Sequence, residues 1–225
     1  MITISKLNRS FGQFKAINNL ELEVLESGLY IFVGANGSGK STLFNLIAGL
    51  IIPDYGQINV NGMAAPDQIR TITGIAAEPF ITEPTLTVSE IFKIGRQIKK
   101  VKNAEVEKWL AFWELDTVKN KPFKNLSTGM KKRLSIALSL LGNPKYIIWD
   151  EPFNGLDPLG IDLLNQLCEK LISEGKYIFL STHLLNEITF PFAIYFVMKE
   201  GKITGTINGG SDNSQQQIIN MLKEN

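Results

Sequence analysis

The sequence predicts an α/β fold, a mainly parallel sheet flanked by helices, with an N-terminal antiparallel β part and a helical insertion. Three observations predict it. A continuous apolar run, Leu29 to Val33, feeds a glycine-rich loop and then a helical pattern. Helix and strand patterns alternate from Ser127 to Leu180. Between Val88 and Leu115 the pattern is helical only.

Taken in order, Ile2 to Leu7 and Leu20 to Val24 alternate apolar and polar residues, as half-exposed antiparallel strands do. Leu29 to Val33 is apolar without alternation, which suits a strand buried on both faces. The helix after the loop begins near Thr42 and runs to about Leu50, with Pro53 stopping it. Gly56 to Gly62 and Arg70 to Ala76 read as two further strands. Val88 to Lys100 and Ala104 to Leu115 read as helices, the second with Trp109, Phe112 and Trp113 at i, i+3 and i+4. A helix over Ser127–Gly142 precedes a strand over Lys145–Trp149. A helix over Pro158–Ser173 precedes a strand over Tyr177–Leu180. Phe190 to Met198 contains Pro191, is too short to span a bilayer, and reads as a buried strand. The tail from about 208 to 225, with Gly209 to Gln217 polar throughout, reads as mobile and closed by a short helix.

At 225 residues the chain reads as one large domain, with a polar tail. Its 44% hydrophobic content supports a core and excludes a disordered chain. Lys and Arg number 23 against 22 Asp and Glu, so the basic excess of a nucleic-acid partner is missing and none is expected. Cys168 is the single cysteine, which leaves no internal disulfide and points to a reducing compartment. Met1 to Ile4 has neither a charged n-region nor an apolar h-region, so no signal peptide is expected. Any membrane role would come through a partner.

Gly34-Ala35-Asn36-Gly37-Ser38-Gly39-Lys40-Ser41 follows the buried strand and reads G-x-x-x-x-G-K-[ST]. Glycines let the backbone curl so that N–H groups face phosphate oxygens. Lys40 adds positive charge near the β and γ phosphates, and the Ser41 hydroxyl suits a magnesium ion. The helix behind the loop turns its positive dipole end to the same anion. This is a nucleoside-triphosphate site on a P-loop NTPase core. Tyr146 to Trp149 is a buried-looking strand ending in Asp150 and Glu151, at the sheet edge where open parallel sheets bind ligands. Asp150 suits magnesium, and Glu151 suits the polarising of an attacking water. Leu126-Ser127-Thr128-Gly129-Met130 opens a helix that Ser127 can cap. Gly129 weakens that first turn, and Lys131, Lys132 and Arg133 oppose the helix dipole there, so an anion is expected beside it. His183, the single histidine, follows a buried-looking strand and should reach the same sheet edge as Glu151.

This order of phosphate loop, serine–glycine signature, apolar strand with Asp-Glu and later histidine resembles the nucleotide-binding domain of ATP-binding cassette (ABC) transporters. The resemblance spans about Met1 to Ile207. It implies ATP and Mg2+ as cofactors. Phe11 would stack on adenine, where a core phenylalanine at a strand end is the plain alternative. Gly34, Asn36, Gly37, Ser38, Gly39, Lys40, Ser41 and Thr42 would hold the phosphates. Ser41, Asp150 and Glu78 would serve the metal, and Glu151, His183 and Glu78 would be catalytic. Glu78 stands where the family usually has a glutamine. In the signature, Thr128 replaces a glycine and Met130 a glutamine, while Ser127 and Gly129, which would touch the γ-phosphate, are kept. These variants resemble those of the ABC-2-type ATPases of compact two-gene exporters. Asn154 to Asp157 resembles the loop that crosses a dimer interface, which brings Asp157 to the nucleotide.

The resemblance further implies a head-to-tail dimer, expected to be a homodimer when ATP is bound, and a separate transmembrane permease subunit. A helical subdomain of about 78–142 would carry the docking surface, with Phe80, Phe92, Trp109, Phe112 and Trp113 divided between its core and its groove. The location implied is the cytoplasmic face of a membrane, held peripherally. The alternative is a soluble cassette ATPase acting on ribosomes or DNA. Translation-factor relatives usually carry two cassettes and repair relatives long coiled coils, and this chain shows neither.

Overall fold

A computed structural model of the chain describes residues 1–183, 190–211 and 213–223. The first elements are β1 (Ile2–Phe11), β2 (Phe14–Val24), β3 (Gly28–Val33), α1 (Lys40–Ile47), β4 (Tyr55–Val60), α2 (Pro66–Ile72) and β5 (Thr73–Ala76). Three helices follow, α3 (Val88–Lys99), α4 (Asn103–Phe112) and α5 (Thr128–Ser139). The chain continues through β6 (Tyr146–Trp149), α6 (Pro158–Ser173), β7 (Tyr177–Thr182), β8 (Ile194–Lys199), β9 (Lys202–Asn208) and α7 (Ser214–Lys223).

Two sheets result. One is antiparallel, in the order β2-β1-β4. The other runs β5-β6-β7-β3-β8-β9 and is parallel except for the β8–β9 pair. The central strands β3, β6 and β7 of the large sheet are buried on both faces, as the unbroken apolar run of β3 requires. Leu29, Ile31 and Val33 enter one hydrophobic cluster with α5, α6, Trp149 and Leu180. Tyr30 and Phe32 enter the other, with α1, the small sheet and Phe179. Phe32, Phe44, Tyr146, Trp149 and Phe179 are fully buried, each contributing about 1.5–3 kcal/mol.

The register decides where the chemistry lies. Val33 pairs with Thr182, and Trp149 pairs with both Leu180 and Ala76. The carboxyl ends of β3, β5, β6 and β7 therefore share one sheet edge. The glycine loop, Glu78, Asp150-Glu151 and His183 all leave from it.

Several elements differ from the sequence reading. Arg70 to Ala76 is not one strand, because α2 occupies the segment up to Ile72 and β5 begins at Thr73. Pro66 at the first helical position follows an extended Ala65, with Asp67 in the first turn, and this starts a helix. Arg70 donates to the Gly49 carbonyl just beyond α1. The strand expected from Phe190 starts only at Ile194, since Pro191 has no N–H to give a ladder. Lys202–Asn208 forms a strand the sequence reading passed over, paired to β8 through Glu200 (φ 50°) and Gly201 (φ 73°). The tail ends in a docked helix, with Ile218 buried and Met221 lying over Gly205.

Candidate functional site

The loop between β3 and α1 is shaped by glycines where only glycine fits. Gly39 has φ +104°, and a Cβ there would lie 2.5 Å from the Ala16 carbonyl oxygen. The loop thus seats directly on β2. Lys40 is nearly buried, and its ammonium donates to the carbonyls of Gly34 (2.7 Å) and Ala35 (3.2 Å). Burial pushes its pKa down, while Glu151 and Asp150 nearby act in the opposite direction. Ser38 Oγ is buried, with no hydrogen-bond partner among the described residues. A buried hydroxyl of that kind calls for an incoming polar group. The first N–H groups of α1 are open donors, as at any helix start.

A cavity of about 220 Å3 lies in front of the loop, lined by Asn36 to Thr42, Phe14, Glu78, Asp150 and Glu151. Asp150 is buried, and Ser181 Oγ donates to its Oδ1. The same Oγ accepts from the Glu151 N–H at 2.9 Å. Glu151 adopts φ +48°, an uncommon conformation for a non-glycine residue, which this neighbouring strand holds in place. His183 Nδ1 lies 3.0 Å from Oε2 of Glu151, which lines the cavity. Glu78 forms an ion pair with Lys132 of α5. Among the described residues no group of three or more His, Cys, Asp or Glu is placed to hold a metal unaided. A magnesium ion here would share its ligands with phosphate oxygens, which the Ser41 hydroxyl and the two nearest carboxylates fit.

The remaining sequence candidates lie elsewhere. Ser127 caps α5 by accepting from the Met130 N–H at 3.2 Å. A Cβ on Gly129 would lie 2.7 Å from the Gly155 carbonyl oxygen, and one on Gly155 would lie 2.8 Å from the Thr128 methyl. The start of α5 and the 154–157 loop are thus packed on each other, with Thr128 filling the contact. Asp157 caps α6 through the Gly160 N–H (2.9 Å) and binds Arg133 (2.6 Å). The Arg133 bond, then the Gly160 N–H, hold its carboxyl below the ordinary value. Ser127, Gly129 and Asp157 do not line this cavity. Gly34 supports it from beneath, where a Cβ would strike the Met198 carbonyl. Phe11 is half-exposed with the Arg9 guanidinium 4.9 Å over its ring, and it too is outside the cavity lining.

Phe14 lines the cavity and Lys132 reaches it through Glu78, while Arg133 lies apart with Asp157 and Glu114; the sequence reading assigned none of these contacts. Phe14, an exposed aromatic, also borders an adjoining hollow of about 310 Å3 with Lys15, Met221 and Leu222. The helix-start cations were the signal for the other two. Arg133 also binds Glu114 at 3.0 Å, so two of the three cations are matched within the chain. Lys131 lies 5.0 Å over the Phe123 ring.

A larger groove, about 780 Å3, opens between α3, α5 and the β5 edge. Phe80 lines it, while Phe92, Trp109 and Trp113 are core and Phe112 packs against the core. Ile81 (81% exposed) and Ile98 (72%) give it an apolar rim, with Arg70 and Lys99 beside them. No helix among the described residues is long and apolar enough to cross a membrane.

A family model described as "ABC transporter" matches residues 17–154. A lantibiotic transport ATP-binding protein of Streptococcus pyogenes is 33% identical over 224 residues, covering 99% of this chain and 97% of that protein. A bacitracin transport ATP-binding protein of Enterococcus faecalis is 33% identical over 213 residues, covering 92% of this chain and 69% of that protein. Among solved structures, a dimeric ATP-binding cassette in a post-hydrolysis state with ADP and Pi is similar, with TM-score 0.84 and 25% identity over 94% of this chain and 100% of that one.

Proposed function

This chain belongs to the ABC transporter family, and on that premise we propose that it is the ATP-hydrolysing, magnesium-dependent subunit of an export system. It binds ATP and works as part of a dimer of cassettes. The observation that carries the reading is a half-built site. The loop, Lys40, Ser41, Glu78, Asp150 and Glu151 meet in one cavity, whereas Ser127 and Gly129 lie outside its lining, at the start of α5. A second cassette, placed head to tail, would bring its Ser127 and Gly129 to the γ-phosphate. The ATP then joins two chains, and its cleavage frees them, a two-state switch biased by nucleotide.

In this mechanism Lys40 and the loop N–H groups orient the triphosphate. Ser41, Asp150 and Glu78 fit Mg2+, which neutralises charge on the phosphate oxygens. Glu151 accepts a proton from the attacking water, and His183 holds the Glu151 carboxylate and faces the γ-phosphate. Phe14 or Phe11 stacks on the base. The partners are an identical cassette and a separate membrane permease, seated in the apolar groove rimmed by Ile81 and Ile98, on the cytoplasmic face. The 34% identity to a Rhizobium etli protein named for Nod factor export favours export, with the permease choosing the cargo.

Glu151→Gln tests the reading. The variant should bind ATP, run as a dimer in light scattering with ATP, and hydrolyse it about 10²–10⁴-fold more slowly. Turnover at the wild-type rate, or a monomer at saturating ATP, would overturn it.

A further inference from the structure

The Glu78–Lys132 pair joins two segments 54 residues apart, the turn after β5 and the second turn of α5. The Glu78 side chain is 44% exposed and lines the phosphate cavity. The Lys132 side chain is only 7% exposed, and Glu78 is its one hydrogen-bond partner among the described residues. A buried ammonium needs a counter-charge, so this contact fixes where the Glu78 carboxylate stands. Among the described residues Lys132 is the one cation paired to Glu78. Lys131 lies over the Phe123 ring, Arg133 is held by Glu114 and Asp157, and Lys40 donates to loop carbonyls.

A lone carboxylate facing a γ-phosphate would repel it, where an uncharged amide would not. We propose that Lys132 is a positioning residue that neutralises Glu78, so that the pair presents no net charge to the γ-phosphate. Charge balance between positions 78 and 132, rather than either residue alone, then sets the preference for ATP over ADP. This rests on the reading of the cavity as an ATP site.

The test compares binding of fluorescently labelled ATP and ADP to the full chain at low salt, with melting temperature measured alongside. The variants are Lys132→Gln, Lys132→Met, Glu78→Gln and the double Glu78→Gln/Lys132→Gln. Lys132→Gln and Lys132→Met leave Glu78 uncompensated and should weaken ATP binding about tenfold. ADP binding should change less than about twofold, because the γ-phosphate is absent. With EDTA in place of magnesium, so that the metal contact of Glu78 does not enter, the double variant should show an ATP-to-ADP binding ratio nearer to wild type than either Lys132 variant does. If the Lys132 variants melt too low to assay, Glu78→Gln against the double variant decides: the unpaired Lys132 of Glu78→Gln should favour ATP over ADP more than the double variant does, and equal ratios overturn the pairing. An unchanged ATP-to-ADP ratio in Lys132→Gln overturns the inference. So does an equal loss for both nucleotides, which marks a merely structural lysine. A wild-type chain that binds neither nucleotide overturns the ATP reading itself, a separate outcome.

Discussion

Ser181→Ala removes one hydroxyl that holds both carboxylates of the site. Ser181 is fully buried, so solvent has no ready access to replace it. Its Oγ donates to Asp150 Oδ1 and accepts from the Glu151 N–H. The bond to a carboxylate contributes about 1.5–3 kcal/mol and the neutral one about 0.5–1.5 kcal/mol, so the loss is about 3 kcal/mol. Unfolding entropy is about 2.1 cal/mol/K per residue, or ~0.5 kcal/mol/K for the 225-residue chain. The melting temperature of the variant should therefore fall by about 6 °C. Thermal unfolding by circular dichroism measures this, with nucleotide absent so that binding does not shift the transition. Glu151 holds φ +48° with that N–H bond as its anchor, so ATP turnover should fall as well. A variant melting within about 1 °C of wild type would refute the argument, because the two bonds would then have no net stabilising effect.

Phe14→Ala should weaken ATP binding by about 1–3 kcal/mol, the range for a base stacked on an aromatic ring, while Phe11→Ala leaves it within about twofold. Calorimetric titration of both variants checks this, and the reverse order would return the adenine contact to Phe11. Thr87 caps α3 in a reciprocal box with Glu90, so Thr87→Ala should cost about 1 kcal/mol, read from urea unfolding. The lowered pKa of Asp157 makes its contribution fully present above the ordinary carboxylate value of 3.8 and lost as pH falls below it. Asp157→Ala should accordingly melt below wild type at pH 7, with the difference closing under acid conditions. A difference that persists unchanged at low pH would contradict the pairing with Arg133.

Local patterns carried the greater part of the architecture. The alternation in β1 and β2 and the unbroken apolar runs of β3, β6 and β7 mark half-exposed and doubly buried strands, and those are their environments. The misread elements were those where a local signal was ambiguous. Ile69 and Ile72 suit a helix and Ile75 a strand, and only the Pro66 start separates α2 from β5. The β8–β9 turn at Glu200-Gly201 carried its signal in a single glycine.

The place of the glycine loop between β3 and α1 was legible because its glycines, Lys40 and Ser41 are adjacent in sequence and follow one apolar strand. The Asp150-Glu151 pair and His183 were legible for a related reason, since parallel strands deliver their carboxyl ends to one edge. What the tertiary structure decided was pairing over distance. Glu78 finds Lys132 and Arg133 finds Asp157, contacts 54 and 24 residues apart in the chain. Phe14, an exposed aromatic at a strand start, becomes a wall of the cavity through the seating of the loop on β2. Sequence spacing records periodicity along one element. It holds no record of which charge on one element meets which on another, and packing of the two sheets and the helices between them settles that.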